Sequence, residues 1–60
     1  MTNNEIRLYT PRQVAGILQM YLDNVEKMIR SGEIKGIKIG GRWRVDSRDL
    51  AEYIDKKRGI

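Results

Sequence analysis

The segment Ile37-Lys38-Ile39-Gly40-Gly41-Arg42-Trp43-Arg44-Val45 constrains this chain most. It alternates apolar and cationic residues on both sides of a glycine pair, and with Lys35 it holds four cations with no acid between Glu33 and Asp46. A period of two is the mark of a half-buried strand, and adjacent glycines permit a tight reversal, so the segment reads as a β-hairpin. Its register follows from the rule that residues opposed across an antiparallel pair share a face. A three-residue loop of Gly40, Gly41 and Arg42 pairs Ile39 with Trp43, Lys38 with Arg44 and Ile37 with Val45. That arrangement turns the apolar residues inward and Lys38 and Arg44 outward, with Arg42 at the tip. A two-residue Gly-Gly loop opposes Ile39 to Arg42 and Ile37 to Arg44 and splits the apolar face, so the longer loop is expected. The surface suits a polyanion, although charge alone equally allows a hairpin whose cations only keep the chain soluble.

Composition narrows the class. Sixty residues make one small domain, burying roughly 60% of its unfolded surface and leaving little room for a catalytic cavity. With neither cysteine nor histidine in the chain, disulfides and the usual zinc ligand sets are excluded. There is no long apolar run, and Met1-Thr2-Asn3-Asn4-Glu5 is unlike a signal peptide, so a soluble cytoplasmic protein with no membrane segment is expected. The formal charge of +4 and pI near 9.8 suit an anionic partner. The acid pairs Asp46 with Asp49 and Glu52 with Asp55 read as caps and surface charge, and no pairing of nucleophile and base can be assembled. The expectation is a protein that is not an enzyme and takes no cofactor.

Helical signals flank the hairpin. Thr10-Pro11-Arg12-Gln13 has the form of a capping box with proline at the first helical position, and Tyr9 is placed to staple onto Val14. Val14, Ile17 and Leu18 form the inward stripe, Ala15 and Gly16 keep the sides slim, and Gln19 with Met20 ends the helix. A second stripe, Val25, Met28 and Ile29, closes at Ser31-Gly32 after a short turn, the spacing of a helix-turn-helix. Beyond the hairpin, Asp46 or Ser47 can cap a third helix bearing Leu50, Tyr53 and Ile54, with Lys56, Lys57 and Arg58 at its carbonyl end. The expected core is Leu8, Val14, Ile17, Leu18, Val25, Met28, Ile29, Ile34, Ile37, Ile39, Trp43, Val45, Leu50, Tyr53 and Ile54. Residues 1–7 are expected as a flexible arm, 8–55 as the domain and 56–60 as a short basic tail.

From Leu8 to Ile54 the chain resembles the excisionase-type and MerR-type winged-helix DNA-binding domains. Thr10, Val14-Ala15, Ile17-Leu18, Val25, Ile29-Arg30-Ser31-Gly32-Glu33-Ile34, Ile39-Gly40-Gly41-Arg42-Trp43-Arg44-Val45 and Asp49-Leu50 carry the resemblance. It implies an α+β, mainly α, winged helix-turn-helix: two helices, a two-stranded wing and a C-terminal helix. It further implies a second helix in the major groove, a wing on the backbone or minor groove, and a first-helix start touching phosphate. The chain departs from the family where Gln19 replaces a usual glycine, Tyr21 a serine cap, Leu22 a polar residue and Asn24 a threonine. Tyr21 cannot cap, whereas Asp23 with Glu26 forms a second capping-box arrangement, which would start the second helix at Asn24 rather than Leu22.

The candidate DNA-binding residues are Arg12, Asn24, Lys27, Arg30, Lys38, Gly41, Arg42 and Arg44. Asn24 suits a bidentate contact with adenine, and Lys27 or Arg30 guanine or phosphate. The competing readings are a cap role for Asn24, an i, i+4 pair of Lys27 with Asp23, and support of the helix dipole by Arg30. Arg42, at a tip, suits a narrow minor groove, and Arg12 a phosphate at a helix start, with plain solvation as the alternative. Trp43 is expected as a core anchor. Asp23 and Glu26 cancel Lys27 and Arg30 along the second helix, so the wing must supply more of the affinity. Asp23 and Glu26 either accept from cytosine amino groups or mark a face turned away from DNA. Tyr21 and Leu22 read as a thymine-methyl contact, as a protein interface, or as residues folded back onto the core.

The expected function is a small double-stranded-DNA-binding protein, either an excisionase-like, DNA-architectural recombination directionality factor or a small transcription regulator. The absence of a long dimerisation helix tilts the expectation to the former, working with a site-specific recombinase and self-associating cooperatively on DNA. The alternative is a protein-interaction module on the same scaffold, using Tyr21, Leu22 and the second helix.

Overall fold

The computed structural model describes residues 6–59, whose elements run β1 (Leu8–Tyr9), α1 (Pro11–Leu18), α2 (Leu22–Ser31), β2 (Ile37–Ile39), β3 (Arg42–Asp46) and α3 (Ser47–Arg58). The strands form one antiparallel sheet in the order β1-β3-β2. Three helices with a small sheet bearing a β2–β3 wing make the α+β, mainly helical, winged helix-turn-helix that the resemblance implies. The strand β1 is an addition: Leu8 pairs with Asp46 and Tyr9 with Val45, and the Ser47 amide donates to the Arg7 carbonyl at 2.9 Å. Arg7 at the end of the expected arm is thus tied to the sheet, while residues 1–5 lie outside the described residues. Lys56, Lys57 and Arg58 form the last turn of α3 rather than a tail.

Helix α1 starts as its capping box dictates. The Gln13 amide donates to the Thr10 hydroxyl at 3.1 Å and the Thr10 amide to the Gln13 side-chain oxygen at 2.9 Å, satisfying two donors that a helix start leaves free. It ends at Gln19, whose φ of +56° is the one positive φ on a non-glycine residue among those described. A side chain there costs about 1 kcal/mol or more. Gln19→Gly is therefore expected to stabilise the domain by about 0.5–1 kcal/mol net of the added chain entropy, read as a higher urea midpoint at unchanged slope. A lower midpoint would mean that the glutamine side chain contributes more than its backbone strain costs.

Helix α2 corrects the capping-box expectation. It begins at Leu22, not Asn24, behind an N-cap Tyr21 that makes no side-chain cap hydrogen bond; the Asn24 and Val25 amides both donate to the Tyr21 carbonyl, at 3.1 and 3.2 Å. Burying Leu22 against the core favours the longer helix over the Asp23 cap. Ten residues result, so the exposed face is longer than a start at Asn24 would give.

The core comprises Val14, Ala15, Val25, Ile29, Ile34, Val45 and Leu50, with Tyr9, Leu18, Met20, Leu22, Met28, Trp43, Tyr53 and Ile54 packed against it. Leu8, Ile17, Ile37 and Ile39, expected inside, are exposed. On α1 the buried residues are Val14 and Ala15, because α1 packs on α2 along its slim side and turns Ile17 outward.

The hairpin register is also corrected. Ile37 pairs with Arg44, Lys38 with Trp43 and Ile39 with Arg42, around a two-residue Gly40-Gly41 loop. Both glycines have positive φ, +59° and +80°, as a primed hairpin turn requires, and only glycine adopts two such residues in succession at little cost. The splitting of the apolar face costs little because the wing projects from the core, which has room for Trp43 and Val45 but leaves Ile37 and Ile39 in solvent beside Arg42 and Arg44.

Asp46 joins wing to α3. Its side chain, 9% exposed, accepts from the Arg48 amide at 2.8 Å and from the Arg48 guanidinium at 3.2 and 2.7 Å. These side-chain and then backbone hydrogen bonds from Arg48 lower the carboxyl from 3.8 to about 2. A carboxylate more acidic in the fold than in the unfolded chain contributes stability that is complete above pH ~4 and is lost as pH falls toward ~2. The midpoint of thermal unfolding is expected to drop across that window, and in Asp46→Asn the drop should be smaller. An equal drop in both would assign it to other carboxylates.

Candidate nucleic-acid interface

Three chain segments meet in one open groove lined by Thr10, Pro11, Arg12, Leu22, Glu26, Arg42, Trp43 and Arg44. The capping box sets the position of Arg12 in the first turn of α1. The start of α2 at Leu22 brings Leu22 and Glu26, one turn apart, to the same side. The short Gly-Gly loop puts Arg42 and Arg44 in one strand with Trp43 between them. Three arginines thus surround a single acid, the half-buried Glu26. None of Arg12, Arg42 and Arg44 forms an ion pair with a described residue, so their charge is available to an anion. Arg44 donates to the Trp43 carbonyl at 2.8 Å, which steadies its guanidinium at the groove.

Trp43 holds the wing down, as expected of an anchor. It packs against the core with its six-membered ring over Gly36: a β-carbon built at Gly36 would lie 3.0 Å from Trp43 Cε3 and 2.6 Å from Ile29 Cγ2. Lys38, expected to point outward with Arg44, instead faces Trp43, its Nζ 4.7 Å from the ring centroid. A cation–π contact at such a site is worth about 0.5–1 kcal/mol, and Lys38 remains exposed there. Gly41 sits in the turn itself.

The other candidates lie on α2, away from the groove lining. Asn24, Lys27 and Arg30 are exposed at i, i+3, i+6 spacing. Asn24 lies within the first helical turn, not at the cap, and among the described residues Lys27 makes no ion pair with Asp23. Arg30 is in the last turn, where its charge also suits the helix dipole. The two neighbouring apolar residues separate: Leu22 folds back onto the core, whereas Tyr21 is 81% exposed. Sequence reasoning singled out neither Gly36 nor the approach of Glu26 to the wing. An isolated glycine just before the Ile-Lys-Ile strand was the available signal for the first; the second depends on tertiary packing.

A helix-turn-helix domain family matches residues 8–58. Over 50 residues, 83% of this chain, the sequence is 36% identical to the uncharacterized protein YvgK of Bacillus subtilis, covering 16% of that protein. It is likewise 34% identical over 50 residues to the magnetosome protein MamR of Magnetospirillum gryphiswaldense, covering 83% of this chain and 60% of that protein. The chain therefore spans less than two thirds of either relative. No solved structure matches it.

Proposed function

This chain belongs to the excisionase-like helix-turn-helix domain family, a DNA-binding fold, and on that premise we propose that it binds double-stranded DNA sequence-specifically as a recombination directionality factor. In this reading α2 enters the major groove while Arg42 and Arg44 hold phosphates or the minor groove alongside. The observation that carries it is the groove joining Arg12, Arg42 and Arg44 beside α2. Phosphate contacts position a protein and base-edge contacts specify the site. The groove supplies the former and the exposed Asn24, Lys27 and Arg30 the latter. Role as a transcription regulator rests on the same contacts, and cooperative binding to neighbouring half-sites with a recombinase partner separates the two.

Selection of duplexes from a random pool, followed by salt titration, tests the proposal. About five phosphate contacts predict a log–log slope near −4 to −5. Asn24→Ala should change the selected sequence more than the affinity, by about 1–3 kcal/mol at one position. Repeated half-sites bound cooperatively support the recombination reading; independent single-site binding removes it. A protein-interaction module is the second reading, favoured by the exposure of Tyr21, and absence of duplex binding at low salt would favour it over DNA binding.

A further inference from the structure

Tyr21 is the residue that the packing of this domain does least to explain. It stands at the N-cap of α2 without making a side-chain cap hydrogen bond, and with 81% of its surface in solvent it adds nothing to the core. Serine, threonine, aspartate or asparagine at an N-cap would each be more stabilising. The start of a recognition helix is also where helix-turn-helix domains meet base edges, and Asn24 lies exposed one turn further on. An aromatic ring there offers a broad apolar face with a hydroxyl at its wet end. In the major groove the matching apolar group is the 5-methyl of thymine. Of the remaining groups at this end of α2, Asp23 carries negative charge, so phosphate binding by the helix terminus is disfavoured and an uncharged base contact fits better.

We propose that Tyr21 reads a thymine 5-methyl group in the major groove, next to the base contacted by Asn24. The inference rests on the DNA-binding reading above and adds a specificity residue to it. The stability lost by omitting a capping side chain is offset by discrimination between bases.

The test uses the full chain and the duplex selected from the random pool, with each thymine replaced singly by uracil, which removes only the methyl group. One such replacement should weaken wild-type binding about three- to tenfold. Tyr21→Ser should weaken binding to the thymine duplex to a similar extent and be indifferent to uracil at that position, while Tyr21→Phe keeps the discrimination. Thermal unfolding should show Tyr21→Ser at least as stable as wild type, since serine supplies the missing cap, so a binding loss cannot come from misfolding. If wild type binds the duplex but no thymine shows a Tyr21-dependent effect, the inference is overturned and the ring is left to a protein partner. If wild type binds no duplex at all, the DNA-binding reading fails together with it.

Discussion

Replacing Arg42 and Arg44 together by alanine is expected to lower duplex affinity about ten- to a hundredfold at near-physiological salt, with the salt slope shallower by about 2. Each guanidinium lines the groove beside α2 without a carboxylate partner among the described residues; apart from the one bond from Arg44 to the Trp43 carbonyl, their donors are available for charge-assisted hydrogen bonds to phosphate. The share of affinity is large because α2 offers little: Asp23 and Glu26 offset Lys27 and Arg30. Both arginines sit on the wing, outside the buried core, and the unfolding midpoint should move little. Lys56→Ala with Arg58→Ala removes the same net charge from the end of α3, outside the groove lining. Anisotropy titrations of both variants separate local contact from overall charge. Equal losses in the two would mean that the wing acts only through the long-range field, and undiminished binding by the wing variant would dismiss the proposed interface.

Gly36→Ala is expected to destabilise the domain by about 1–3 kcal/mol, which in a domain of this size lowers the unfolding midpoint by on the order of 10 °C. The added methyl would meet Ile29 Cγ2 at 2.6 Å and Trp43 Cε3 at 3.0 Å. Ile29 is buried and branched at Cβ, so its methyl cannot swing away without leaving its rotamer. Trp43 would have to lift, and the wing with it, so duplex binding should weaken together with stability. Ile29→Leu removes the Cγ2 branch at equal volume, and the double variant Gly36→Ala/Ile29→Leu should recover part of the loss, a coupling expected of residues in contact. Additive losses would show that the glycine is needed for its backbone and not for the space it leaves.

Two of the corrections made by the structure, the hairpin register and the start of α2, share one cause. At the hairpin, keeping Ile37 and Ile39 on the core side competed with the conformational needs of the turn, and the turn prevailed because the tip has no core to bury those isoleucines. At the start of α2, a side-chain cap from Asp23 competed with burial of Leu22, and burial prevailed because Leu22 lies against the core. In both places the outcome turned on how much core lay within reach, which no local window of residues reports.

The sequence by itself determined the order of the three helices and the hairpin, the capping box at Thr10, the helix end at Gln19, most of the core and the basic character of the wing. Each depends on neighbours within about one or two turns of chain, where spacing and side-chain type carry the energetics. Tertiary structure alone decided that β1 ties the start of the domain to Asp46, that Gly36 makes the seat of Trp43, and that Lys38 lies over that ring instead of facing outward. It also brought Arg12 to Arg42 and Arg44 around Glu26. Thirty residues of chain separate Arg12 from Arg42, and only the packing of α1 against both α2 and β3 converts those separate charges into one groove.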